Sequence, residues 1–126
     1  MTNQATRIVV GVDDDIRIRE AIESLVESAG FTSIVFPSAE EFLQSGKVLD
    51  ACCLITDVRM AGIDGLELQR LVKSDRPQFP VIFISGHYDE EVRRKALEGG
   101  AVAFMYKPFD PSDLLGALNE AMSTCS

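Results

Sequence analysis

The sequence predicts one doubly wound α/β domain, in which a parallel sheet lies between two layers of helices. Strand-like and helix-like segments alternate five times along the 126 residues, as expected for five successive βα units. Several strand segments, such as 8–12 and 52–56, are continuous apolar runs typical of strands buried on both faces. A chain of this length is large enough for one core and too small for two ordinary domains, so we expect residues 1–126 to form a single domain.

The first two βα units are marked by clear start and stop signals. After the strand over 8–12, apolar residues at helical spacing predict a helix over 17–29 that ends at Gly30. A second strand is expected over 32–36. The sequence Ser-Ala-Glu-Glu at 38–41 is a capping-box pattern and predicts the start of a short helix.

The other three units follow the same order. We expect strands over 49–56, 81–84 and 104–106, each followed by a helix. Glycine precedes the helix predicted over 66–73, a glycine pair closes the charged helix predicted over 89–99, and Asp-Pro at 110–111 opens the last helix.

Composition and charge exclude several classes of protein. A net charge of −8 argues against unaided nucleic-acid binding, which usually needs a basic surface. The apolar runs are far shorter than the roughly 20 residues of a membrane-spanning helix. The first four residues (Met-Thr-Asn-Gln) resemble no signal peptide, so we expect a cytoplasmic protein without membrane contact.

The three cysteines predict no disulfide framework and no metal site. Cys52 and Cys53 are adjacent in a predicted strand, Cys125 lies near the end of the chain, and no CxxC spacing occurs. We therefore expect buried apolar cysteines and one incidental thiol.

Polar residues follow four of the predicted strands. They are Asp13 and Asp14 after the first strand, Asp57 after the third, Ser85 after the fourth and Lys107 after the fifth. The carboxyl ends of parallel strands meet at one edge of the sheet, where ligands bind. Three carboxylates, a hydroxyl and an ammonium suit a Mg²⁺ ion and a phosphoryl group, with Asp57 as a carboxylate nucleophile.

Each of these residues alone also has an ordinary structural explanation. The run Asp13–Asp15 could be a solvated turn in which Asp15 caps the next helix. A strand-end Asp57 could cap a loop, Ser85 could be a loop hydroxyl, and Lys107 a surface lysine. Their joint occurrence at successive strand ends favours a site.

Four motifs carry a resemblance to a known family. They are VDDD at 12–15, TDVRMAG at 56–62, ISGH at 84–87 and FMYKPF at 104–109, and spacings of 43, 28 and 22 residues separate Asp14, Asp57, Ser85 and Lys107. Together they resemble the receiver domain of two-component response regulators. FPSAEEFL at 36–43 and LLGAL at 114–118 are most similar to its FixJ/NarL-like branch. The resemblance implies a flavodoxin-like, CheY-like sheet of order 2-1-3-4-5.

The resemblance also implies roles for the strand-end residues. Asp57 accepts a phosphoryl group from a sensor histidine kinase, a phosphotransfer protein or a small donor such as acetyl phosphate. Asp14, Asp57 and the backbone carbonyl of Arg59 hold Mg²⁺, and Asp13 acts through water. Lys107 pairs with a phosphoryl oxygen, and its bond to the following proline is cis.

The same resemblance implies a switch. Ser85 donates a hydrogen bond from its hydroxyl to the phosphoryl group, which moves the loop after the fourth strand. This movement opens space for Phe104, which corresponds to the aromatic residue that rotates in the family. A plain core phenylalanine is the alternative for Phe104. The surface of the fourth helix, fifth strand and fifth helix then controls an output partner or a DNA-binding domain outside this chain, and a homodimer can form through the same surface. The receiver domain itself is expected to contact no nucleic acid. A signalling phosphoacceptor is expected, with self-catalysed phosphorylation and dephosphorylation only.

Two departures and two competing functions accompany the resemblance. Ala61 stands where many receivers have proline, and His87, a minor candidate for a catalytic base, follows Ser85 by two residues.

The main alternative is a Mg²⁺-dependent phosphohydrolase with an aspartyl-phosphate intermediate. That enzyme would usually need an acid/base carboxylate near the nucleophile, whereas Arg59 follows Asp57 by two residues. A flavin- or nucleotide-binding module is disfavoured because the first loop has no glycine-rich phosphate cradle.

Overall fold

The computed structural model describes residues 7–125. Residues 1–6, for which no signal peptide is predicted, and Ser126 lie outside the described residues. The strands are β1 (Ile8–Val12), β2 (Thr32–Phe36), β3 (Ala51–Asp57), β4 (Val81–Ser85) and β5 (Ala103–Tyr106). The helices are α1 (Ile16–Ser28), α2 (Ala39–Gln44), α3 (Gly65–Asp75), α4 (Glu90–Glu98) and α5 (Pro111–Met122), with a 3₁₀ helix at Lys47–Leu49. Each predicted strand and helix is present.

The five strands form one parallel sheet of order β2-β1-β3-β4-β5. The strand order reverses between β1 and β3, so the connections that leave these neighbouring strands run to opposite faces of the sheet, and a crevice lies beyond the carboxyl ends of these two strands. The predicted fold class and strand order are confirmed.

Residues on the two faces of the sheet form two separate apolar cores. One contains Val9, Ile55 and Ile84 of the strands and packs against α1 and α5. The other contains Val10 and Phe83 and packs against the remaining helices. Side chains alternate between the faces of a strand, so strands covered by helices on both faces need the continuous apolar runs in the sequence.

Aspartate or serine side chains cap every α-helix among the described residues. Asp15 accepts a hydrogen bond from the N–H of Arg17, and Ser38 accepts one from Glu41. Asp64, Asp89 and Asp110 cap α3, α4 and α5 in the same way. These bonds satisfy N–H groups that a helix leaves unpaired in its first turn, and the predicted cap at Asp15 is confirmed.

The third strand starts later than predicted. Leu49, expected to open it, ends the 3₁₀ helix and is 74% exposed. Leu49 is therefore apolar but lies at the surface, two residues before the strand begins at Ala51. Arg76 fixes this turn, because its guanidinium donates to the carbonyls of Val48 and Ala51 at 2.9 and 2.5 Å.

The expectation for the cysteines is partly wrong. Cys53 is buried, as predicted, and burial raises the pKa of its thiol to about 12. Cys52 and Cys125, however, form a disulfide, with their Cα atoms 5.7 Å apart and 73 residues between them in sequence. Their pairing depends on α5 ending beside the start of β3, which the sequence spacing does not reveal. Among the helices of residues 7–125, none is long and apolar enough to span a membrane.

Candidate functional site

The structure brings the strand-end residues together at one edge of the sheet. Val12 pairs with Thr56 in the β1–β3 register, so the residues that follow them, Asp13 and Asp57, are neighbours. On the other side of β3, Ser85 ends β4, and its carbonyl accepts a hydrogen bond of 2.7 Å from the N–H of Lys107. Asp57, Ser85 and Lys107 therefore lie side by side at one edge of the sheet, although they are widely spaced in sequence.

Three carboxylates converge at this edge. One oxygen each of Asp13, Asp14 and Asp57 can be chosen such that all three lie within 4.8 Å of one another. Asp13 and Asp57 are buried, at 1% and 6% exposure, and Asp14 is exposed. Like charges at this separation repel and are costly in a partly buried site, so the cluster favours a cation.

Lys107 supplies one positive charge to the cluster. Its Nζ lies 2.9 Å from Oδ2 of Asp13 and 3.3 Å from Oδ2 of Asp57. Burial alone would lower the pKa of Lys107, but the contact with Asp13 and the charges of both acids outweigh it, and the pKa is raised. Burial raises the pKa of Asp13, against the opposing effects of the Asp15 N–H and of Lys107. One ammonium therefore offsets only part of the negative charge.

The remaining ligand capacity of the acids fits Mg²⁺. Among the described residues none donates a well-directed hydrogen bond to the buried Oδ2 of Asp13, despite the nearby ammonium of Lys107. Oδ1 of Asp57 accepts a hydrogen bond of 2.8 Å from the N–H of Val58. Carboxylate and carbonyl oxygens are the ligands that Mg²⁺ prefers. Arg59, the predicted carbonyl ligand, lies directly after Val58, and its guanidinium is 3.4 Å from the carboxylate of Asp89.

The hydroxyl of Ser85 is engaged within its own loop. Ser85 is buried; its Oγ donates to the carbonyl of His87 at 3.0 Å and accepts from the N–H of the same residue at 3.1 Å. The side chain of His87 is exposed, and this contact is made through its backbone. In this structure the hydroxyl stabilises the loop after β4 and is not directed to Asp57.

An aromatic series links the core to the surface beside this loop. Phe104, half-buried on β5, stacks against Phe83 with ring centroids 5.8 Å apart and meets the edge of Tyr106 at 5.4 Å. Tyr106 in turn stacks on Tyr88 at 4.7 Å, and Tyr88 is 79% exposed. Direct ring contacts therefore run from the core at Phe83 through Phe104 to the exposed ring of Tyr88, in the loop before α4. No sequence pattern indicated a role for either tyrosine.

Gly65, the first residue of α3, is a second feature that sequence reasoning missed. A Cβ atom built there would overlap the backbone carbonyl of Asp57, and the N–H of Gly65 donates to the carbonyl of Val58 at 2.7 Å. Only glycine allows α3 to begin this close to the end of β3. The position of the Asp57 backbone therefore depends on this glycine.

Glu40 is a third. Its Oε2 accepts a hydrogen bond of 3.0 Å from the N–H of Ile63, in the loop between β3 and α3. This bond is the main cause of the lowered pKa of Glu40. Gly62 packs so closely on the same carboxylate that a Cβ atom would overlap it, and its φ of +77° also favours glycine. The capping-box pattern explained Ser38 and Glu41, whereas Glu40 instead holds the loop that carries Arg59.

The peptide bond between Lys107 and Pro108 is cis, as the resemblance implied. The sheet order, the acid cluster and this lysine define a doubly wound α/β domain with three acids and a lysine at the carboxyl edge of its sheet. The sequence matches the family described as response regulator receiver domain over residues 9–119. The chain therefore belongs to the response regulator receiver domain family.

Individual relatives agree with this assignment. The chain is 43% identical over 120 residues to the response regulator protein TmoT of Ectopseudomonas mendocina, covering 95% of this chain and 54% of that protein. It is 36% identical over 111 residues to the transcriptional regulatory protein FixJ of Bradyrhizobium diazoefficiens, covering 88% and 54%. The chain thus spans about half the length of these relatives.

A solved structure supports the fold independently. The response regulator receiver domain protein from Clostridium thermocellum superposes with a TM-score of 0.86 at 28% identity, over 93% of this chain and 94% of that one.

Proposed function

We propose that this receiver domain accepts a phosphoryl group on Asp57 from a sensor histidine kinase or phosphotransfer protein. The observation that carries the proposal is the pairing of Asp57 with both a cation and two further acids: Lys107 Nζ lies 3.3 Å from its carboxylate, and Asp13 and Asp14 adjoin it. A carboxylate oxygen of Asp57 attacks phosphorus; a P–O bond forms as the P–N bond of the phosphohistidine breaks, and the electron pair returns to the histidine nitrogen.

In this proposal Asp13, Asp14, Asp57 and the backbone carbonyl of Arg59 hold Mg²⁺, Asp13 through water. Bound Mg²⁺ supplies positive charge that offsets repulsion between the acids and the incoming phosphoryl group. Lys107 stabilises charge on a phosphoryl oxygen, for which its raised pKa is suited because the side chain stays protonated at neutral pH. The proposed product is an aspartyl phosphate that carries a signal.

The proposed switch uses Ser85 and Phe104. The Ser85 hydroxyl exchanges its two bonds to His87 for one to a phosphoryl oxygen, which moves the loop after β4. Phe104 then changes its packing against Phe83, and the surface of α4, β5 and α5 responds. This is a population shift between two arrangements of one loop. Since relatives such as FixJ are transcriptional regulators, we propose that the output is control of transcription through another domain or partner.

The wild-type test combines mass spectrometry with tyrosine fluorescence. Acetyl phosphate with Mg²⁺ is expected to add one phosphoryl group, located on Asp57 by peptide mapping, and EDTA should prevent it. Beryllofluoride, a phosphoryl analogue, should change the emission of Tyr88 and Tyr106, the two tyrosines of a chain without tryptophan. An unmodified mass at saturating donor would contradict the proposal. Sustained turnover of organic phosphates would instead favour the phosphohydrolase.

Glu40 provides a separate test of the metal site. Glu40→Ala is expected to weaken Mg²⁺ binding roughly tenfold, because the loop that carries Arg59 loses its hydrogen bond at Ile63. Residues that position metal ligands without touching the metal typically change metal affinity by about tenfold or more when they are removed. Glu40→Gln should retain most of the affinity, since its amide oxygen accepts the same hydrogen bond. Calorimetric titration with Mg²⁺ measures both. Glu41→Ala, in the same turn, is the matched control; wild-type affinity in Glu40→Ala would refute the role.

A further inference from the structure

We propose that Cys52 and Cys125 form a redox-responsive clip that closes on the C-terminal end of α5. Cys52 is the second residue of β3, and Cys125 follows α5 by three residues. The disulfide between them joins the last turn of the described chain to the central strand of the sheet. Disulfides in reducing compartments are mostly transient and redox-sensing, so we infer a reversible modification and not a permanent cross-link.

An open cavity gives an oxidant access to the pair. Both cysteines line a cavity of about 270 Å³ at the surface, together with Arg76, Phe79 and Thr124. The guanidinium of Arg76 donates to two backbone carbonyls, which are neutral and leave its positive charge in place. A cation lining the same cavity favours the thiolate, the reactive form of cysteine.

The reaction we propose is thiol–disulfide exchange with a small disulfide of the glutathione class. Cys125 is the more exposed of the two, so its thiolate attacks the oxidant; an S–S bond to Cys125 forms and one glutathione thiolate leaves. The thiolate of Cys52 then attacks the Cys125 sulfur and displaces the second glutathione. Two electrons pass from the cysteine pair to glutathione, and the two thiol protons end on the two glutathione thiols.

The clip lies at the opposite end of β3 from the phosphoacceptor site. Cys52 and Asp57 are separated by about 16 Å at the rise of an extended strand. Closing the clip should therefore leave the acid cluster unchanged while holding the end of α5, a helix of the proposed output surface, against the sheet. The inference is thus independent of whether Asp57 accepts a phosphoryl group.

Equilibration of the purified chain in mixtures of reduced and oxidised glutathione tests the clip. After alkylation in denaturant, the oxidised chain should carry one label, on Cys53, and a Cys52–Cys125 linked peptide; the reduced chain should carry labels on all three cysteines. Because the disulfide closes a loop with a sequence separation of 73 residues, its formation should raise the Tm of the chain by roughly 10 °C. Amide exchange in the last turn of α5 should slow at least tenfold in the oxidised form.

Matched variants separate the clip from incidental oxidation. Cys125→Ser, at the end of the described chain, should fold normally and give neither the cross-link nor the Tm shift. Cys53→Ala should retain both. A linkage between Cys52 and Cys53, a lasting glutathione adduct on Cys125, or equal Tm and α5 exchange in the two redox forms would each overturn the proposal.

Discussion

Asp57→Asn is expected to abolish phosphoryl incorporation. The amide nitrogen is no nucleophile, and the amide oxygen, although it can still accept the hydrogen bond from the N–H of Val58, lacks the carboxylate charge. The fold should survive, because asparagine has nearly the same shape and removes one of three mutually repelling charges. Intact mass after incubation with acetyl phosphate and Mg²⁺ measures the loss.

Asp50→Asn is the matched control for this experiment. Asp50 is exposed and immediately precedes β3, whereas Asp57 ends it, so the two substitutions make the same chemical change at opposite ends of one strand. The control should incorporate phosphoryl groups as the wild type does. A phosphoryl adduct of normal yield in Asp57→Asn would show that another residue is the acceptor.

Lys107→Ala is expected to retain Mg²⁺ binding and lose the conformational response. The ammonium lies 2.9 Å from Asp13 and 3.3 Å from Asp57, so its removal frees carboxylate oxygens for the metal but leaves no side-chain cation on the phosphoryl group. Comparison of Mg²⁺ titrations and of amide NMR shifts with and without beryllofluoride measures both effects. An intact shift of α4 and β5 signals in the variant would refute the role of Lys107.

The same variant should be less stable in a pH-dependent way. Leaving Asp13 buried without its cation should cost about 2 kcal/mol of unfolding free energy at neutral pH, less than for a fully buried pair because Lys107 is partly exposed. The pKa of Asp13 is raised, so this cost applies above that pKa and disappears as the pH falls through it and the acid becomes neutral. Urea denaturation at several pH values measures it, with Lys47→Ala, in the 3₁₀ helix, as the control.

The sheet and the strand-end groups were predictable because both follow from local pattern and a general rule. Continuous apolar runs specify strands covered on both faces, and parallel strands bring their carboxyl ends to one edge. Asp13, Asp57, Ser85 and Lys107 could therefore be placed together from the order of the residues alone. The start of β3 was predicted too early because hydrophobicity at Leu49 does not by itself imply burial.

Residues that act across elements were not predictable in this way. Glu40 on α2 holds a loop after β3, and Gly65 matters through a carbonyl eight residues earlier in the chain. Tyr88 and Tyr106 come from different elements and meet only when the loop after β4 folds beside β5. No periodicity or short motif encodes these contacts.

By itself, then, the sequence determined the fold class, the edge of the sheet where the acids and the lysine gather and the side chains at that edge, because strand periodicity and parallel order fix where strand ends lie. Only the tertiary structure decided which groups touch: the ion pairs of Lys107 with two acids, the engagement of Ser85 with His87, and the disulfide of Cys52 with Cys125. Such contacts depend on distances of a few ångströms between segments far apart in sequence, and those distances are set by the packing of the helices on the sheet.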